Sequence, residues 1–165
     1  MILYQSLGYD KVDQFSRYKN RLNYFLHLQL LIHFLQSDLG LFAFDMNGKP
    51  AWSRPMDAVE MLTGFGHAQS PVLDDTFVYI VNDNLEQSFI AAYDARTGAE
   101  AWRVNREEGS NWTTPFVWEN ELRTEIVTSG LRKVRSYDLD GNLLWELSGM
   151  TINVTPTPFA SHGLV

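Results

Sequence analysis

With 165 residues, 45% of them hydrophobic and 20% charged, the chain has the composition of one globular domain of ordinary size rather than of a disordered segment. A formal charge of −7 argues against a nucleic-acid partner, whose phosphates need clustered lysine and arginine. There is no cysteine, which removes disulfides, thiolate catalysis and cysteine-ligated zinc and leaves the redox compartment open.

The chain begins with a segment, residues 1–28, that does not fit the pattern of the remaining residues. Four basic residues (Lys11, Arg17, Lys19, Arg21) precede the apolar run LNYFLHLQLLIHFL at 22–35. That run is too short for a transmembrane helix and is interrupted by Asn23, His27, Gln29 and His33. It is also too polar for a secretory signal, and no small-x-small cleavage site follows before Gly40. Apolar residues at every even position from 22 to 34 favour a strand, whereas Leu28, Leu31 and Leu35 fit a helical stripe. Residues 29–36 are read as the strand that leads into LFAFD. Residues 4–27 are compatible with a helix, a non-native start or the altered remains of a preceding repeat.

From there an Asp-turn-Trp unit recurs three times. It reads DMNGKPAW at 45–52, DARTGAEAW at 94–102 and DLDGNLLW at 138–145, with the tryptophans 50 and 43 residues apart. A second marker, a small residue and proline entering a strand, occurs at Pro71, Pro115 and Pro158, spaced 44 and 43. The phase is kept, since Pro71 precedes Asp94 and Pro115 precedes Asp138 by the same 23 residues. Between the markers lie TFVYIVND and FIAAYD in one unit, TEIVTSG and KVRSYD in the next. These are β-branched and aromatic runs bounded by turn formers, which read as strands. Proline suits a strand start, and the residue before it is held extended.

Three to four short strands in a period of about 43 residues is the signature of a propeller blade. The fold expected is therefore all-β: a partial β-propeller of about three four-stranded antiparallel blades. The blade parts span 29–69, 70–113 and 114–156, and the next blade starts at 157–165. Asp45, Asp94 and Asp138 should accept backbone N–H groups two or three residues on, and Gly48, Gly98 and Gly141 should supply a positive φ. The turn containing Thr97 is one residue longer than the other two. A functional tryptophan would be expected once. Three in phase (Trp52, Trp102, Trp145) point to packing between neighbouring blades.

No catalytic residue stands out. His67, in the glycine-rich GFGHAQS, reads as a loop histidine with no function of its own, with a ligand role as the lesser alternative. His27 and His33 read as strand histidines, and His162 sits near the last residue. VNDNLEQS at 81–88 gathers Asn82, Asp83, Asn84 and Glu86 but lacks the glycine of a calcium loop, so a hairpin loop is expected. Glu107 and Glu108, Asp74 and Asp75, and Glu119 and Glu121 read as solvated loop charges. Trp112 and Trp118 read as aromatic core or strand partners rather than a binding surface.

AAYDARTGAEAW at 91–102 resembles the repeat of the PQQ-binding-like β-propeller proteins. These include quinoprotein alcohol dehydrogenases and outer-membrane assembly lipoproteins of the BamB type, a repeat class akin to WD40/YVTN-like propellers. LFAFDMNGKPAW and VRSYDLDGNLLW resemble the shortened form, so the likeness covers 37–165. It implies that the tryptophans dock adjacent blades. It also implies a periplasmic or extracytoplasmic site, and partners that are other blades or another protein chain. Quinoprotein dehydrogenases hold PQQ over calcium beside a vicinal cysteine pair, and this chain has no cysteine. The expectation is a non-catalytic scaffold or binding surface with no cofactor of its own. The alternative is part of a PQQ-dependent dehydrogenase whose cofactor ligands lie in other blades. Since such rings close with more blades, the chain is expected to be part of a longer protein rather than a ring closed by oligomerising.

Overall fold

A computed structural model describes residues 30–35, 40–45, 47–152 and 154–165. The segment 1–28, with His27, lies outside the described residues. Eleven strands run in chain order. β1 (Leu30–Leu35), β2 (Gly40–Asp45) and β3 (Pro50–Arg54) form the first sheet. β4 (Val72–Leu73), β5 (Phe77–Asn82), β6 (Phe89–Asp94) and β7 (Glu100–Asn105) form the second. β8 (Phe116–Glu119), β9 (Thr124–Ser129), β10 (Lys133–Tyr137) and β11 (Leu143–Ser148) form the third. Every strand pairs antiparallel with its sequence neighbour in the same sheet. Two sheets thus have the four strands expected, and the first has three among the described residues.

Sheet two is covered on both faces, which explains why FVYIVN and FIAAYD read as unbroken apolar runs. Val78, Ile80, Phe89, Ala91 and Tyr93 pack with Leu41, Trp52 and Met56 on the side of sheet one. The alternate residues Tyr79, Val81, Ile90 and Ala92 pack with Ile126, Val117 and Tyr137 on the side of sheet three. The period of two along each strand therefore sends successive side chains into two different cores.

The Asp-turn-Trp units build three like hairpins. Asp45 Oδ1 accepts the N–H groups of Asn47 and Lys49, each at 2.9 Å. Asp94 Oδ1 accepts those of Arg96 and Thr97 at 3.0 and 2.8 Å, together with the Thr97 hydroxyl at 2.8 Å. Asp138 Oδ1 accepts those of Asp140 and Asn142 at 3.0 and 2.8 Å. Gly48, Gly98 and Gly141 take φ of +79°, +67° and +87°. Each hairpin then carries a bulge that the sequence did not reveal. The register shifts between Ala43 and Phe44, between Ala92 and Tyr93, and between Ser136 and Tyr137. One extra residue (Ala51, Ala101, Leu144) stands just before each tryptophan, and each tryptophan pairs with a small residue: Ala43, Ala92 or Ser136. A bulge twists a strand and re-aims the next side chain.

Candidate functional site at the linker rim

The tryptophans lie at the rim of the β2–β3, β6–β7 and β10–β11 turns. Trp52 Nε1–H donates to the carbonyl of Ala95, in the turn of the next sheet, at 3.1 Å. Trp102 Nε1–H donates to the carbonyl of Leu139, again one sheet on, at 2.8 Å. A Cβ on Gly98 would stand 2.5 Å from Trp52 Cε3, and one on Gly141 would stand 2.8 Å from Trp102 Cε3. Each glycine is thus required twice, by its φ and by the ring lying against it. Arg54 adds donors to the carbonyls of Gly98 and Thr97. Trp145 instead donates to Glu125 Oε2 within its own sheet, at 2.8 Å.

The opposite rim carries a buried polar cluster between sheets two and three. Arg106, which follows β7, grips Asp83 through Nε at 2.9 Å and Nη2 at 3.2 Å. Its Nη1 reaches the Thr128 and Tyr137 hydroxyls of sheet three at 2.8 and 3.1 Å. Glu108 pairs with Arg135, stands 3.8 Å from Arg106 Nη2 and accepts the Leu131 N–H at 2.6 Å. Asn111 completes the cluster by donating to Thr113 Oγ1 at 2.7 Å and to the Ser129 carbonyl. Burial pushes the Asp83 carboxyl above the usual carboxylate range, against the pull of Arg106 and the Asn111 amide.

Several expectations change here. Glu108 is not a solvated loop charge: its side chain is fully buried, because a guanidinium from the next sheet meets it. Asp74 caps its own hairpin, accepting the N–H groups of Thr76 and Phe77 at 2.7 Å and the Tyr79 hydroxyl at 2.6 Å. Asp75, Glu107, Glu119 and Glu121 are exposed. The 81–88 stretch closes β5 and continues from residue 83 as a hairpin loop in which Asn84 Oδ1 accepts the N–H groups of Glu86 and Gln87, both at 2.8 Å. Asn82 and Asp83 are buried in it. Among the described residues no group of three or more histidines and carboxylates is placed to hold a metal. His33 lies on β1. His162 is exposed, with its Nδ1 2.8 Å from Ser161 Oγ. Trp118 is a β8 strand residue opposite Glu125, as expected.

Trp112 is different, for it lines an open cleft of ≈ 500 Å³ at this rim. Ala68, Trp112 and Thr155 all border the cleft. Each stands three residues before its repeat proline (Pro71, Pro115, Pro158), so one repeat position serves three consecutive linkers. Pro71 and Pro115 lie one residue before β4 and β8. The remaining wall comes from the first linker: Leu62, Thr63, Phe65, Gly66 and buried His67. That linker runs 19 residues from Trp52 to Pro71, where the other two run 13. The extra chain turns at a 3-10 turn, Leu62–Gly64, with Thr63 and Gly64 at φ of +63° and +69°. It is tied to the second linker by Leu62 N–H to Ser110 Oγ at 2.8 Å and by Trp112 Nε1–H to the Gly66 carbonyl at 3.0 Å. The Ser70 N–H donates to Thr114 Oγ1 at 3.0 Å, and Gln69 donates to the Asn111 carbonyl. Phe65 meets Trp112 edge to face with centroids 6.5 Å apart. Of the walls, then, His67 stands out in the sequence as a candidate ligand site, whereas Trp112 does not. The signals that point to Trp112 are the shared position before proline and the longer first linker.

Repeated antiparallel sheets, joined by in-phase linkers and in-phase hairpins, define a PQQ-like β-propeller repeat protein. Residues 37–164 match the family model described as outer membrane protein assembly factor BamB, and the chain belongs to that family. Among solved structures it is similar to BamB from Moraxella catarrhalis, with a TM-score of 0.53 and 14% identity over 70% of this chain and 33% of that one. It is also similar to the quinohemoprotein alcohol dehydrogenase from Comamonas testosteroni, with a TM-score of 0.52 and 18% identity over 73% of this chain and 19% of that one. At such identities the likeness is one of fold, and the chain spans a third or less of either protein. No curated protein sequence matches it. Among the described residues no helix is long and apolar enough to cross a membrane, which does not bear on β-barrels.

Proposed function

We propose that the chain supplies blades to a non-catalytic, extracytoplasmic propeller that acts as a scaffold and binding surface. The observation that carries this reading is the composition of the linker-rim cleft. Its walls are aliphatic, aromatic, glycine, threonine and histidine, with no lysine, arginine or carboxylate among them. The buried charged side chains of the same rim, Asp83, Arg106, Glu108 and Arg135, are paired with one another rather than turned to the cleft. In this reading Trp52 and Trp102 are docking residues that hold adjoining blades in register.

The quinone of the related dehydrogenases is a planar polycarboxylate and would need cationic donors. The cleft wall offers the Trp112 face but no cation. The residues present do not fit that group, and no quinone step is derived from them. The dehydrogenase reading rests on fold likeness alone, which does not transfer activity. The test is to titrate the intact protein carrying these blades with PQQ and calcium, following quinone absorbance and dye-coupled alcohol oxidation. No saturable uptake and no turnover is expected. Saturable uptake with turnover would establish the dehydrogenase reading instead. Fractionation of the source cells checks the compartment, with recovery outside the cytoplasm expected.

A further inference from the structure

The first linker is six residues longer than the other two, and its extra chain lines the cleft. Insertions in repeat proteins collect on one face, often the face that binds. This one places a threonine in the left-handed region (Thr63, φ +63°). Such a conformation is strained for a β-branched residue and persists only where its surroundings hold it. The corner it makes leaves Phe65 65% and Leu62 40% exposed beside the Trp112 ring, instead of folding them under the linker. The apolar surface continues past the cleft. The Leu85 N–H donates to the Glu60 carbonyl at 2.9 Å, and Leu85 is 48% exposed. Two exposed carboxylates border this band: Glu86, whose Oε1 accepts the Glu60 N–H at 2.9 Å, and Glu60 itself.

We infer that this face binds an extended peptide segment with an apolar anchor side chain and lysine or arginine beside it. The anchor enters the cleft alongside the Phe65–Trp112 ring pair, and the cations lie along Glu60 and Glu86. The chemistry is an aromatic-walled pocket for the anchor, with a rim of opposite charge that orients the segment and speeds encounter. An acidic partner is disfavoured by the same rim and by the chain's charge of −7.

The inference deepens the scaffold reading and rests on it. Its test uses the intact protein and a fluorescein-labelled peptide with a leucine–phenylalanine pair flanked by lysines, read by fluorescence anisotropy. Two comparison peptides carry glutamates in place of the lysines, or serines in place of the apolar pair. Saturable binding of the lysine-flanked peptide alone is expected, weakening as salt rises. Phe65→Ser should weaken it at least about tenfold. The exposed position lets that variant keep its fold, which an unchanged urea midpoint verifies. Glu60→Lys should weaken binding about threefold and flatten its salt dependence. No saturable binding, equal binding of the glutamate-flanked peptide, or unchanged affinity in Phe65→Ser would each overturn the inference. Absence of peptide binding in a protein inert toward quinone removes this inference alone. Quinone uptake with turnover removes the scaffold reading beneath it.

Discussion

The indole of Trp102 hydrogen-bonds the backbone of Leu139 in the following sheet over 2.8 Å, while its ring lies flat enough against Gly141 to leave no room for a Cβ. The same ring packs near Tyr79, with centroids 6.1 Å apart. One side chain thus fills the core of its own sheet and meets the turn of the next.

Removing that ring should cost accordingly. Trp102→Ala is expected to destabilise the protein by about 3 kcal/mol, the lower end for buried aromatic truncations because the ring is only partly buried. Trp102→Phe keeps most of the apolar area and loses the donor, at about 1 kcal/mol. Urea unfolding of both variants measures the two contributions.

The glycines separate backbone strain from contact. Gly48→Ala meets nothing within 4 Å and bears only its positive φ, a penalty of about 1 kcal/mol. Gly98→Ala and Gly141→Ala bear the same strain and also drive a methyl into Trp52 or Trp102. They should be less stable than Gly48→Ala by a further 1 kcal/mol or more, roughly the cost of overpacking. Equal midpoints for the three variants would show that the ring contact contributes nothing.

Breaking the buried ion pair at the end of sheet two should be severe, since Arg106 also reaches the Thr128 and Tyr137 hydroxyls of sheet three. Arg106→Met leaves the buried Asp83 carboxyl without its guanidinium partner, and about 3 to 5 kcal/mol of destabilisation is expected. Adding Asp83→Asn to that background should recover part of the loss. The four midpoints of this double-mutant cycle give the coupling directly.

Acid should loosen the hairpin turns. The Thr97 hydroxyl above all holds the Asp94 carboxyl below its ordinary value, against the opposing effect of burial, and the Thr97 and Arg96 N–H groups add to the pull. The Arg103 guanidinium does the same for Glu100. A carboxyl whose folded pKa lies below its unfolded one contributes fully above the unfolded value, about 4. That contribution fades as pH falls through the folded value, because protonation then favours the unfolded chain. Urea midpoints should therefore drop between neutral pH and about pH 3. Thr97→Val should shrink the share of that drop that comes from Asp94.

The hairpins are legible from sequence because their chemistry is local. Asp94 and Gly98 act within five residues of each other, and three copies in phase make the reading secure. The bulge is not legible, since Ala51, Ala101 and Leu144 are ordinary aliphatic residues with no turn or bulge signal, and the extra residue shows only when two strands are paired. Glu108 misleads for a similar reason. Beside Glu107 and Gly109 it looks solvated, and only Arg135, brought in by the next sheet, accounts for its burial. Trp112 reads as core or strand pairing unless its repeat position is compared across the three linkers. Thr155 and Ala68 have different chemistry, so the shared place is visible in the spacing alone.

The indole-to-turn bond has a direction. Sheet two presents its donor, Trp102, on one flank and its acceptor, the Ala95 carbonyl, on the other, so the contact is head-to-tail and not self-complementary. Two copies meeting by a two-fold axis through these flanks would set donor against donor. Growth through this surface therefore keeps one sense of rotation, and it terminates only where a last flank meets a first.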